Sequence, residues 1–310
     1  MEVGYWLSSE EHAPNDLVEN AKRAEQAGFA YVLISDHIHP WVDAQGHSPF
    51  VWSVIGAIGE ATQLGVGTAV TCPLIRVHPA IVAHAAATAQ NMLDGRFFLG
   101  VGTGENLNEH VLGDRWPRAD ERLEMLEEAI DVLRALFGGD YETYRGKHYT
   151  VEQLKLYDAP GTPPPIIVGA KASNAAKLAA EKGDGTMNTS PDEKIVKEFK
   201  EAGGTGPVYG KVTGAFASSE SSARRIAKER SPNTAMGGDL STELELPRDF
   251  EAVAELVREE DLEGSLVLGN DPALWREQID EFERAGFTHV ALHDVSEDQA
   301  GFIAFAKQFL

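Results

Sequence analysis

The sequence predicts an α/β fold: a parallel (β/α)8 TIM barrel with insertions. Three observations carry that expectation. Short apolar runs and helical stretches alternate about eight times along the 310 residues. The run "AYVLIS" (30–35) is continuously apolar, the mark of a strand buried on both faces. No composition shift or Pro/Ser-rich linker divides the series, so 1–310 reads as a single domain. A doubly wound open sheet is the competing architecture.

The first strand is "EVGYWLS" (2–8), followed by a helix over 15–29 with Asn15 or Asp16 as its cap and Gly28 near its C-terminus. After the strand at 30–35, a helix at about 50–63 leads to the strand "LGVGTAVT" (64–71). A helix near 79–93 precedes "RFFLGVG" (96–102), and another fills about 119–137. Then the rhythm breaks. "YETYRGKHYTVEQLKLYDAP" (141–160) alternates around "RGKH" and reads as an inserted β-hairpin. Alternation resumes with "PPIIVGA" (164–170), a helix near 173–182, "GDGTMNTS" (183–190) and a helix near 191–202. "PVYGKVTGAFA" (207–217) and a helix at 219–230 follow. The polar stretch 231–250 shows no clear core face, and a second insertion is expected near 231–260. "SLVLG" (265–269), a helix at 271–285, "HVALHDV" (289–295) and a last helix complete the set.

Composition excludes several function classes. A formal charge of −22 opposes sequence-independent nucleic-acid binding, which needs cations to displace counterions from phosphates. It also fits poorly with an anionic membrane surface. A solvated acidic face explains the charge; adaptation to salt is the alternative. No apolar stretch reaches the roughly 18 residues of a bilayer span. The start "MEVGYWLSSEEHAP" lacks a basic region followed by an apolar one, so no secretory signal is expected. The single cysteine, Cys72, rules out an intrachain disulfide and a cysteine-based zinc site. The expected setting is cytoplasmic.

In a barrel, residues just after the strands face the active-site mouth. Here they are "SSEE" with Glu10, "SDHIHPW" (35–41), "VTCPLIR", "TGENLNE", then Lys171, Ser173 and Asn174, then "NTSPD". Acids, an imidazole, an indole and glycines converge on one face, which favours an enzyme. A metal site on His37 and His39 would need a third ligand such as Glu105 or His293. No metal is expected, and His39 reads as a structural or rim histidine. "GVGTGENLN" (100–108) lets backbone N–H groups approach an anion, but it lacks the P-loop lysine and the dinucleotide spacing. No helix clearly starts at once behind it, and a tight strand-end turn is an equal explanation. Cys72 is either a buried small hydrophobe or a residue lining a cofactor face.

Three segments together resemble the luciferase-like superfamily and, within it, the deazaflavin branch that uses coenzyme F420. They are "SDHIHPW", "TCPLIRVHPAIVAHAAATAQNMLDGRFFLGVGTGENLNE" and "GAKASNAAKLAAEKGDG". The likeness is nearest to the subgroup of F420-dependent glucose-6-phosphate and secondary alcohol dehydrogenases. It implies an insertion-bearing barrel, usually a homodimer, with its cofactor in the mouth. By the same resemblance Asp36, Cys72, Thr103, Gly104 and Asn108 contact the cofactor. Lys171, Ala172, Asn174 and Ala175 hold its phosphate region, and Val70, after Ala69, stands at a bulge that supports the ring through a non-proline cis bond. His37 and Glu105 match catalytic residues, Trp41 and Glu10 supporting ones, and Thr189 a substrate contact.

The residue types suit that chemistry. An imidazole with a pKa near about 6.5 can take the hydroxyl proton of an alcohol at neutral pH, the role expected of His37. Glu105 is the candidate for balancing charge at the reduced ring, and Trp41 supplies an apolar wall. The departures also matter. Asp192 stands where sugar-phosphate dehydrogenases of the subgroup carry a lysine; "STE" (241–243) and Ser265 fall near a second lysine and an arginine. A carboxylate repels a phosphate. The expected substrate is therefore a small neutral alcohol or carbonyl compound, not glucose 6-phosphate. The alternatives are an FMN-dependent monooxygenase and a non-catalytic cofactor-binding protein.

Overall fold

The computed structural model describes every residue except 263. Strands β1 (Glu2–Leu7), β2 (Tyr31–Ile34), β3 (Gly65–Thr68) and β4 (Phe97–Val101) pair in parallel in chain order. A separate antiparallel hairpin follows, made of β5 (Glu142–Arg145) and β6 (Thr150–Leu154). The parallel sheet continues with β7 (Ile166–Gly169), β8 (Gly185–Met187) and β9 (Val208–Ala215). Two more parallel strands are β10 (Val267–Leu268) and β11 (His289–Asp294).

Eight of these strands close a barrel, because β9 pairs with β11 and β11 returns to β1. β10 stays outside that ring. Gly214 pairs with Asp294 on one side and Val267 on the other, so β10 lies on the β8 side of β9. β8 is three residues long and reaches only Val208 and Tyr209, which leaves the far end of β9 for β10. The run at 265–269 is thus a strand, but an accessory one.

Among the described residues, twelve α-helices complete the fold. They are α1 (Pro14–Ala27), α2 (Val51–Ala61), α3 (Pro79–Met92), α4 (Asn106–Glu109), α5 (Ala119–Phe137) and α6 (Ser173–Lys182). Then come α7 (Glu193–Glu201), α8 (Glu220–Arg230), α9 (Leu240–Glu243), α10 (Pro247–Ala254), α11 (Pro272–Arg284) and α12 (Gln299–Ala306). The start of α1 differs from expectation: its N-cap is Ala13, without a side-chain bond, and Asn15 and Asp16 lie inside the first turn. Proline at N1 explains the earlier start, since its fixed φ already suits a helix and its missing N–H is not needed there. Gly28 ends the helix with φ 106° and donates its N–H to the carbonyls of Ala24 and Glu25.

The core is double. Trp6, Tyr31, Leu33, Phe98, Ile167, Met187 and Tyr209 fill the barrel interior, while a larger shell packs strands against helices. Phe98 and Tyr209 stack at 5.1 Å near the strand N-termini. Gly67 makes room for them, because a Cβ there would meet the Phe98 ring at 2.0 Å. At the opposite end the strands run into the buried polar residues Ser8, Glu10, Asp36 and Thr71.

Residues 231–262 do have a core face. Phe250 of α10 is fully buried against Val42 and Leu107, with Trp41, Met236 and Leu244 around it. One aromatic in a polar stretch shows no periodicity, which is why the sequence hides it.

Candidate active site

The site begins where β1 and β2 end. Glu10 is buried, and Oε2 of its carboxylate accepts hydrogen bonds from the hydroxyls of Ser8 (2.8 Å) and Ser35 (2.6 Å). That leaves Oε1 facing His37, whose Nδ1 is 2.9 Å away in a charge contact rather than an aligned hydrogen bond. On the other side of the imidazole, Nε2 lies 3.9 Å from Oε2 of Glu105. Glu105 stands at the N-cap of α4 with its side chain 24% exposed, so its carboxylate reaches the mouth.

Burial opposes charging of His37, but the Glu10 carboxylate outweighs it, with Glu105 and Asp36 adding to the effect. The imidazole is raised to about 9. Burial likewise works against an ionised Glu10, yet His37 and the Ser35 hydroxyl hold its carboxyl well below the usual carboxylate range. The ordinary pKa expected for His37 therefore does not hold. At neutral pH the pair is an imidazolium facing a carboxylate.

Trp41 packs edge-on against His37 at 5.2 Å, and Phe250 packs against Trp41 at 5.3 Å. The segment that carries Phe250 is tied down by polar contacts. Asn106 donates to the Glu243 carbonyl (3.1 Å), and the Asp43 N–H donates to Glu251 (3.0 Å).

Asp36 is buried and already engaged. Thr71 donates to its Oδ2 (2.8 Å), and Arg76 donates to its Oδ1 (3.0 Å). The same guanidinium reaches Glu109 at 3.4 Å, while the Arg76 N–H donates to the other Glu109 oxygen at 2.9 Å. One buried cation thus joins two buried acids. Burial raises the Glu109 carboxyl, against the lowering effect of Arg76.

The remaining expected residues surround this centre. The peptide bond Ala69–Val70 is cis, and Val70 packs on the barrel interior. Cys72 is buried, and burial pushes its thiol well above the usual range. Gly104, with φ 72°, lies over it: a Cβ there would fall 2.6 Å from the cysteine sulfur. Thr103 is partly buried beside it. Asn108 accepts from the N–H groups of Ile38 (3.0 Å) and His39 (3.3 Å) through Oδ1. Its buried Nδ2 has no partner among the described residues. The segment behind 100–105 does start a helix, α4, so "GVGTGENLN" is a strand–turn–helix.

Lys171, Ala172 and Asn174 are exposed, and Ala175 is half-buried. Ala172 is the N-cap of α6 and offers no side-chain bond, so the first turn presents uncapped N–H groups. Thr189 is exposed after β8. Asp192 caps α7 by accepting from the N–H groups of Lys194 (2.9 Å) and Ile195 (3.4 Å). His39 contacts the Leu107 carbonyl through Nδ1 at 3.0 Å. Among the described residues, no three His, Cys, Asp or Glu side chains are grouped to hold a metal ion.

Sequence reasoning missed Ser8, Ser35, Arg76 and Glu109 as working parts of the site. Each lies in a segment that follows a strand, but only the fold reveals their partners. A second pair was also missed: Glu11 Oε2 lies 3.0 Å from His293 Nε2, buried beside Glu10.

A closed parallel barrel whose mouth holds a buried carboxylate–imidazole pair defines an α/β-barrel enzyme site. The chain belongs to the luciferase-like monooxygenase family, whose sequence model matches residues 1–289. It is 33% identical over 324 residues to the F420-dependent glucose-6-phosphate dehydrogenase of Beutenbergia cavernae, spanning 100% of this chain and 96% of that protein. Identity to the F420-dependent hydroxymycolic acid dehydrogenase of Mycobacterium tuberculosis is 44% over 191 residues. That match spans 61% of this chain and about half (53%) of the relative. Among solved structures, an F420-dependent secondary alcohol dehydrogenase in complex with an F420–acetone adduct matches at TM-score 0.92 and 28% identity. It covers 100% of this chain and 98% of that one. No helix of the described residues is long and apolar enough to cross a membrane.

Proposed function

We propose that this protein is an F420-dependent oxidoreductase that interconverts a small neutral alcohol and its carbonyl compound, with His37 handling the substrate proton. The 2.9 Å contact between His37 and Glu10 carries this reading, because it gives the mouth an imidazole charged at neutral pH. When bound, F420 supplies or accepts the hydride at the substrate carbon. The mouth suits such a cofactor in two respects. Asn108 has a buried donor without a partner among the described residues, and the uncapped start of α6 suits an anionic group. Asn108, Thr103, Gly104, Val70 and Cys72 would line the ring, together with Asp36, whose oxygens retain unused lone pairs. Lys171, Ala172, Asn174 and Ala175 would hold the phosphate region.

His37 does the proton work through Nε2, since Nδ1 faces Glu10. As an imidazolium it donates to a carbonyl oxygen, and as a neutral ring it accepts from an alcohol. The raised pKa favours carbonyl reduction at neutral pH. Glu105 adds negative charge beside Nε2 and supports the charged ring. Trp41, backed by Phe250, excludes water from the imidazole.

Two observations support a substrate without phosphate. Asp192 spends its carboxylate on the α7 cap, and Glu243 is paired with Arg122 at 3.3 Å. Neither position offers a cation. Thr189 remains the substrate contact. A single domain with insertions near 141–160 and 231–260, a homodimer and a cytoplasmic setting belong to the same proposal.

The test is titration with F420 and with FMN, followed by turnover on secondary alcohols, ketones and glucose 6-phosphate. Saturation by F420 with turnover of neutral substrates is expected. Saturation by FMN alone, or efficient glucose 6-phosphate oxidation, would overturn the proposal.

A further inference from the structure

Trp41 lies in a stretch with no regular secondary structure, yet its indole must hold one position between His37 and Phe250. Its backbone N–H donates to Oε1 of the buried Gln45 at 2.8 Å. The other end of that amide, Nε2, donates to Oε1 of Glu11 at 3.4 Å. Glu11 is itself paired through Oε2 with His293 of β11. A buried chain therefore runs from the barrel wall to the loop that carries Trp41.

The direction of each bond matters. An amide has one accepting and one donating end. Burial works against a charged Glu11, but His293 holds its carboxyl below the usual range, so it offers only acceptors. Gln45 must point its NH2 group at Glu11, which turns its oxygen toward the Trp41 N–H. The Glu10–His37 pair is not a link of this chain.

We infer that Gln45, oriented by the Glu11–His293 pair, is a positioning residue that fixes Trp41 against His37 and so sets the wall of the substrate site. The inference rests on the dehydrogenase reading for its effect on turnover, but not for its effect on Trp41. Gln45→Ala frees the loop, and the indole then samples positions away from His37. Gln45→Glu brings a second carboxylate to Glu11 and breaks the link by repulsion. The swap Glu11→Gln with Gln45→Glu rebuilds it in reverse: the new amide donates to the new carboxylate, which still accepts from Trp41, and His293 donates to the amide oxygen.

The experiment uses fluorine NMR of fluorotryptophan-labelled protein, with the Trp41 signal identified by its loss in Trp41→Phe, alongside F420-dependent turnover. Both single Gln45 variants are expected to shift or broaden the Trp41 signal without ligand and to lower kcat/KM about tenfold or more. In Gln45→Ala the high-pH limb of the rate profile should stay in place, and the swap should recover signal and rate together. An unmoved Trp41 signal in Gln45→Ala, or a swap no better than Gln45→Glu, would overturn the inference. If Gln45→Ala does not fold, Gln45→Met, of similar length, answers the same question. Wild-type protein that neither binds F420 nor turns over refutes the dehydrogenase reading, while the ligand-free Trp41 signal still decides the positioning role.

Discussion

His37 and Glu10 come from the loops after two neighbouring strands, and their Nδ1 and Oε1 atoms stand 2.9 Å apart in a buried setting. Ser8 and Ser35 both bond the other Glu10 oxygen, so the carboxylate is aimed before any ligand arrives. The charge of the imidazole is therefore a property of the folded chain.

The pH dependence follows from that pair. His37 is raised to about 9, so its contribution to stability is complete below the ordinary histidine pKa and is lost as pH rises through about 9. Glu10 is depressed, so its share is present above the ordinary carboxylate range and is lost only in strong acid. Glu10→Gln leaves burial without its main counter-charge, and the His37 titration should drop well below 9. Imidazole NMR and the kcat/KM profile should move together. An unchanged titration would break the link between the two residues.

Removal of the proton-handling group is the direct test of role. His37→Ala should lower kcat by about 10²- to 10⁴-fold with F420 binding largely kept. Glu105→Gln should cost less, since Glu105 only supports the charge from 3.9 Å. Single-turnover rates with carbonyl substrates provide the measurement.

Arg76 lies between the buried acids Asp36 and Glu109. Arg76→Met strands two like charges and should cost about 3–5 kcal/mol in denaturant unfolding. The loss should shrink as pH falls, because burial already raises Glu109 and it will take a proton once its cation is gone. A loss independent of pH would refute this account.

Gly104→Ala meets two obstacles, a φ of 72° and a Cβ 2.6 Å from the Cys72 sulfur. A cost of about 1–3 kcal/mol is expected. Repeating the change in Cys72→Ala should recover the part due to the sulfur, while the contacts with the Cys72 Cβ (3.0 Å) and Glu109 Cγ (3.1 Å) and the backbone strain stay. Thermal unfolding of the three variants separates the terms.

Phe250→Ala should open a cavity worth up to about 3–5 kcal/mol, felt as local opening of residues 236–254. Hydrogen exchange should rise in that segment and leave the barrel strands protected. Substrate KM should rise with it, because Trp41 loses its backing.

The strands were legible where their chemistry is local. "AYVLIS" needs no partner to be recognised, because continuous apolarity marks burial on both faces. The lone Phe250 gave no such signal, and the accessory place of β10 follows from the shortness of β8, which no apolar run reveals. The cap of α1 was misplaced because proline at N1 replaced the polar cap that the composition suggested. At the site, position after a strand placed Glu10, His37, Trp41 and Glu105 among the residues of the mouth, and the family resemblance singled them out. Their order along the chain brought them to one face through the barrel's regular alternation. The sequence alone thus determined the barrel and the strand-end residues that gather at its mouth. Only the tertiary structure decided their states: His37 charged by Glu10, Asp36 and Glu109 joined through Arg76, and Asp192 committed to a helix cap. Charge and hydrogen bonding depend on distance in space, and those distances are set by strands far apart in the chain.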